Sequence, residues 1–235
     1  PLIATVMVAG ILTFFTLQTA QSQCVPDATA GDDDIVCDEF IEGDIEGGAG
    51  NDIITITDNV NIPGSDVSGD FIFADGAGDD TIINDGVVNN ILGDSNTADG
   101  FGNDTLINNG TSTNGVAGDS ASGTVASGND IIINNGDVAG NGLAGDSGLV
   151  DGSGNDIIIN NGVVGGQGIT GDSGIGAGSG DDVIVNNGIV TTNGITGDSA
   201  TANGSGNDEI TNNGTINGFI TGDTGFGDGS GDDTI

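Results

Sequence analysis

The chain has 235 residues and a formal net charge of −36, with no Lys, Arg or His. Phosphate recognition needs cationic side chains, so nucleic acid is excluded as a partner, anionic membrane surfaces with it, and cations are the natural counterparts. So acidic a chain, with 3% aromatics, would read as disorder, but hydrophobic residues make up 34% of it and recur at fixed places.

The first segment, "PLIATVMVAGILTFFTLQTAQSQ", carries no charge from Pro1 to Gln23. Its density of apolar residues predicts a hydrophobic helix, with the length of a signal-peptide core or a short membrane span. Ala20 to Ser22 offer a small-residue cleavage site. The opening "PLIATVMVAG" resembles archaeal type IV pilins after leader removal. That resemblance implies a retained apolar helix that packs with its copies in a filament core and touches a membrane only before assembly. The bacterial pilin pattern has an acidic residue where this chain has Thr5, so the bacterial version fits less well. Pilin-like tail and cleaved signal peptide are the two readings of residues 1–23.

Cys24 and Cys37 bracket "VPDATAGDDDIV". A disulfide between them would close that loop and place the chain in an oxidising, extracellular compartment. Residues 24–46 read as a disulfide-containing linker, and the sequence up to about residue 75 as irregular.

From residue 47 to 235 the chain repeats. A Gly before Asn/Asp-Asp falls at Gly50, Gly78, Gly102, Gly128, Gly154, Gly180, Gly206 and Gly231, at spacings of 28, 24, 26, 26, 26, 26 and 25. A second anchor, Gly-Asp-Ser/Thr, begins at Gly93, Gly118, Gly145, Gly171, Gly197 and Gly222 with the same period. A Gly-rich period near 26 is the mark of a solenoid. Helix formers are scarce, so strands joined by turns are expected. Ile54, Ile82, Leu106, Ile132, Ile158, Ile184, Ile210 and Ile235 form a column that is always aliphatic, while its preceding neighbours vary. Strand side chains alternate faces, so this column is expected to point inward. So are two others: Val88, Val138, Val164, Val190 and Ile216, with Ser112 as the exception, and Ile91, Val116, Leu143, Ile169, Ile195 and Ile220. The expected fold is all-β: a β-solenoid, or parallel β-helix, of about 26 residues per coil, preceded by a hydrophobic N-terminal helix. The Asn-Asn pairs, such as Asn134-Asn135 and Asn160-Asn161, suit sharp corners and can stack as hydrogen-bonded ladders.

The corner Asp recurs at Asp52, Asp80, Asp104, Asp130, Asp156, Asp182, Asp208 and Asp233, and the second corner adds Asp94, Asp119, Asp146, Asp172, Asp198 and Asp223. Stacked at the ~4.8 Å coil spacing, like charges repel by about 3 kcal/mol per contact at an effective dielectric of 20. No basic side chain can relieve that. A divalent cation can, and Ca²⁺ takes six to eight oxygens at about 2.3–2.6 Å. The competing reading is that each Asp caps its turn by accepting backbone N–H bonds. "GGAGNDIIT" at Gly47–Thr55 resembles the calcium-binding nonapeptide of RTX (repeats-in-toxin) proteins, and "DGAGDDTII", "DGFGNDTLI", "DGSGNDIII" and "DGSGDDTI" keep most of it. The resemblance implies Ca²⁺ at the first corner. RTX coils hold two nonapeptides in about 18 residues, whereas this chain has one per 26 or so. Sites between two such corners of one coil therefore do not transfer, and stacking of like corners on successive coils is the remaining route.

These features point away from an enzyme. Lyase chemistry on polysaccharides wants Arg or Lys, and the Asp residues repeat evenly instead of converging on one cleft. The expected function is a non-enzymatic, extracellular, cell-surface structural protein: a pilus-like filament subunit with a calcium-stabilised solenoid head, partnered by copies of itself. The second reading is a secreted RTX-like surface adhesin or stalk segment.

Overall fold

The structure, a computed structural model, describes residues 24, 28–39, 43–71, 78–96, 102–121, 125–126, 128–148, 151–152, 154–174, 180–200, 206–224 and 231–235. The helix expected over residues 1–23 lies outside them. The described residues form strands and bridges joined by turns, bends and irregular segments, and none of them is helical.

The strands form an eight-stranded sheet, a twelve-stranded sheet and a two-stranded one, and every pairing is parallel. The eight-stranded sheet takes one four-residue strand from each repeat, including Thr105–Asn108, Ile131–Asn134, Ile157–Asn160 and Val183–Asn186. Register is set by the repeat itself: Leu106, Ile132, Ile158 and Ile184 are Cα partners in succession, as are Asn108, Asn134, Asn160 and Asn186. On the opposite side, Asp94, Asp119, Asp146, Asp172 and Asp198 are likewise in register. This is the expected β-solenoid.

The core between the two sheets is one aliphatic side chain deep per column. Ile54 through Ile210 of the first column are fully buried, as are Val88, Val138, Val164 and Val190, and Ile91 through Ile195. A slip of one residue would turn each column outward, which is why the alternation is strict. Ser112, the exception, is also buried, and its hydroxyl lies 2.8 Å from the Asn89 carbonyl and 2.9 Å from that of Gly115. Ile235 departs from expectation. It is 67% exposed, because nothing among the described residues stacks on its far side.

The rod also begins earlier than expected. Asp34–Cys37, inside the segment read as a linker, pairs in parallel with Ile53–Ile56, and Ile45–Glu46 pairs with Val67–Phe71. Cys37 is buried in the core and joined by a disulfide to Cys24, with their Cα atoms 4.2 Å apart. Gly31-Asp32-Asp33 is in fact another copy of the corner, set 19 residues before Gly50. Its Asp33 occupies the corner position, with its N–H donating to Asp52 Oδ1 at 2.7 Å.

The Asn-Asn pairs build two ladders. Inside, Nδ2 of Asn84, Asn108, Asn134, Asn160 and Asn186 donates to Oδ1 of the next Asn toward the C-terminus at 2.7–2.8 Å, ending on Asn212. Outside, the direction reverses: Asn135, Asn161 and Asn187 donate to Asn109, Asn135 and Asn161 at 2.8–2.9 Å.

Candidate metal centre

The two Asp sets lie on one line. The first-corner carboxylate leans over the backbone of the second corner, and it can do so because the residue there is glycine. A Cβ at Gly118 would overlap Asp130 Oδ2, and one at Gly145 would overlap Asp156 Oδ2. The result is a single zigzag row in which the two sets alternate. Among the described residues, six groups of three or more carboxylates have ligand oxygens within 4.8 Å of one another. Five of them are Asp70/Asp80/Asp94, Asp94/Asp104/Asp119, Asp119/Asp130/Asp146, Asp146/Asp156/Asp172 and Asp172/Asp182/Asp198. Each second-corner Asp named twice there serves two neighbouring groups, and each first-corner Asp serves one.

Each first-corner Asp divides its work between its oxygens. Oδ1 accepts the backbone N–H of the corner Asp one coil back: Asp104 Oδ1 from Asp80 at 2.7 Å, Asp130 Oδ1 from Asp104 at 2.7 Å, Asp156 Oδ1 from Asp130 at 2.8 Å. Oδ2 is buried and has no hydrogen-bond partner at Asp52, Asp80, Asp104, Asp130, Asp156, Asp182 and Asp208. Turn capping is therefore present, and it uses half of each carboxylate. At Asp94, Asp119, Asp146 and Asp198 both oxygens are buried and unpartnered.

Burial and crowding push these groups in one direction. Removal from water, followed by the neighbouring Asp charges, holds Asp80 and Asp198 up at about 8. Asp70 and Asp208, nearer the ends, sit at about 6 for the same first cause. Asp104, Asp119, Asp156 and Asp172, deeper in the row, are also raised, with burial first and adjacent carboxylates next. The outward-facing Asp79 and Asp181 go the other way, because Asn103 and Asn207 donate to them from side chain and backbone.

Of the residues singled out by sequence, Asp80, Asp104, Asp130, Asp156 and Asp182 join Asp94, Asp119, Asp146, Asp172 and Asp198 in these groups. Asp52 and Asp208 are buried in the same manner, Asp223 is half-buried, and Asp233 is exposed while accepting the Asp208 N–H at 3.2 Å. Expectation treated the corners as two separate stacks, and the structure merges them. Asp70 was missed. It pairs in register with Asp94, 24 residues later, but stands in "SGDF", where Phe71 replaces the Ser or Thr that marks the other anchors.

The oxygens fit a hard cation. Two ligands each about 2.3–2.6 Å from one Ca²⁺ can lie up to roughly 5 Å apart, which covers the 4.8 Å span of each group. An all-oxygen donor set suits Ca²⁺, Mg²⁺ or Mn²⁺ rather than thiolate- or imidazole-seeking metals. No family model, no curated protein and no solved structure matches this chain.

Proposed function

We propose that the chain is a non-enzymatic extracellular structural protein, a pilus-like filament subunit whose head is a calcium-stabilised β-solenoid. The observation that carries this reading is the row of buried carboxylates with unpartnered oxygens. An unpaired buried charge costs several kcal/mol, so something must neutralise the row. Each coil adds one Asp from each corner, and one divalent cation per coil balances that pair. Calcium suits the site because it accepts irregular oxygen shells, whereas Mg²⁺ demands near-octahedral geometry and keeps its waters. The Cys24–Cys37 disulfide supports an oxidising, extracellular location. The even repetition of the buried acids along the stack, in place of convergence at one point, supports a structural role over a catalytic one. The RTX-like corner motif favours the second reading, a secreted surface adhesin or stalk.

Two measurements test this. Metal analysis of the full chain after gel filtration in calcium should find on the order of one Ca²⁺ per coil. A protein that leaves the column without bound calcium overturns the metal reading. Intact mass of the protein outside the cell separates the other two: a chain starting at Pro1 supports the filament, one starting near Gln23 the adhesin.

A further inference from the structure

Asn-Gly occurs ten times in this chain. Asn is among the thermolabile residues, and it is most labile before glycine. The glycine nitrogen gives up its proton and attacks the Asn side-chain carbon. A C–N bond forms and ammonia leaves. Water then opens the succinimide ring to Asp or isoaspartate, so the step consumes only water. Glycine permits the attack because no Cβ blocks it and its backbone reaches the required conformation freely.

Five of these pairs stand at the outer corner, one per coil: Asn109-Gly110, Asn135-Gly136, Asn161-Gly162, Asn187-Gly188 and Asn213-Gly214. In each, the fold holds both reacting groups. The N–H groups of Gly110, Gly136, Gly162, Gly188 and Gly214 donate to the carbonyl of the inner Asn one coil back, at 2.9–3.1 Å. The five Asn amides are tied by the outer ladder, from Asn109 on Asp85 Oδ1 at 2.8 Å to Asn213 on Asn187 Oδ1 at 3.0 Å. Elsewhere, Gly115 and Gly142 are strand residues in register with each other, and Gly194 donates to the Thr192 carbonyl at 2.6 Å. Asn203-Gly204 lies outside the described residues. Asn217-Gly218 differs. It is exposed, Gly218 falls between the strands Thr215–Ile216 and Phe219–Thr221, and its N–H has no partner among the described residues. The Asn217 side chain is restrained by one bond, from Nδ2 to the Thr191 carbonyl at 3.0 Å.

We infer that Asn217 is a modification site, where the folded rod deamidates, and that the outer Asn ladder and its tied glycines keep the five corner pairs intact. A corner pair reacts only after its coil opens locally, breaking the glycine bond and the ladder bond together, and that opening costs free energy. Asn217 needs only a side-chain rotation, because its nucleophile is already unbonded. The product has consequences for the coil. Asp at 217 sets a carboxylate against the Thr191 carbonyl where an amide donated before, and isoaspartate adds a methylene to the backbone there. Both weaken the stacking of this coil on the one before it. The inference does not depend on the identity of the cation in the core.

The test is to age the full chain in warm buffer at mildly alkaline pH, once folded in calcium and once unfolded in guanidinium chloride. Peptides are then read by mass spectrometry for the change from amide to acid. Pepsin makes the peptides, since the chain offers trypsin no Lys or Arg. Unfolded, Asn217 and the five corner Asn residues should react at similar rates. Folded, the corners should react at least about tenfold more slowly than Asn217. The variant Asn187→Ala removes the acceptor that holds the Asn213 amide. It should speed deamidation at Asn213 and leave Asn135 unchanged. Corner pairs that react as fast folded as unfolded overturn the inference, and so does an Asn217 as slow as the corners in the folded rod. An Asn213 rate unmoved by Asn187→Ala overturns the ladder's part in the protection.

Discussion

Two polar columns run along most of this rod, and they solve the same problem differently. The inner Asn column and the Asp row are both buried, both in register, and both repeat once per coil or more. An Asn side chain carries a donor and an acceptor, so Asn stacked on Asn satisfies itself without limit. A carboxylate only accepts. Each first-corner Oδ1 finds a backbone N–H, its Oδ2 finds nothing, most second-corner oxygens find nothing either, and each added coil adds charge. The amide column is complete as built, whereas the acid row has unpartnered oxygens that a cation or a proton could satisfy.

The broadest way to break that comparison is to remove the cation. At pH 8 in excess chelator, uncompensated burial at roughly 3–5 kcal/mol per site exceeds the ~5–15 kcal/mol that holds a domain together. Circular dichroism should show the β-signal lost or its melting point greatly lowered, and calcium should restore it. Identical melting in both conditions would remove the distinction between the columns.

Acid should then substitute for metal. The row carboxylates are raised in the folded state, to about 6 at Asp70 and Asp208 and about 8 at Asp80 and Asp198, against about 4 unfolded. Groups of this kind contribute stability that is fully present below pH ~4 and lost as pH rises through ~6 to ~8. In chelator, the melting temperature should therefore climb as pH falls from 8 to 5, the reverse of ordinary acid denaturation. In calcium the slope should be much flatter.

Exchanging the two side chains sharpens the comparison at single positions. Asp146→Asn removes a ligand shared by two neighbouring groups, so in calcium it should cost about 3 kcal/mol or more. In chelator at pH 8 the same change removes a repelling charge and should stabilise, so the sign of the effect reverses with the metal. Asn134→Asp deletes the donor that reaches Asn160 at 2.8 Å. It should destabilise by roughly 1–3 kcal/mol or more in both conditions, because no cation is placed to help. Last and smallest, Asn135→Ala in the exposed outer ladder should cost under ~1 kcal/mol by urea melting, since water replaces its partners.

Much of this was legible in the sequence because a solenoid writes its contacts as a period. Ile132 and Ile158 had to be inward neighbours once the 26-residue spacing was seen, and Asn134 and Asn160 had to stack. Period alone says which residues repeat beside their own kind. It does not say how far one column lies from another, because that depends on how the coil closes. Hence the approach of Asp130 to Asp119 and Asp146 was invisible until Gly118 could be seen giving Asp130 room. The first rung was hidden for a different reason. Its Gly31-Asp32-Asp33 corner carries the right residues 19 positions early, so a search tuned to 26 passes over it. Asp70 was lost to a single side chain, Phe71.

The opposed directions of the two Asn ladders have an electrical consequence. A file of amides all pointing the same way sums its dipoles, as the peptide units of an α-helix do, and a long rod of that kind would become a polarised wire. Here the inner file runs toward the C-terminus and the outer file toward the N-terminus, so their moments cancel coil by coil. Together the two files store far less polarisation than either would alone, however many repeats the rod contains.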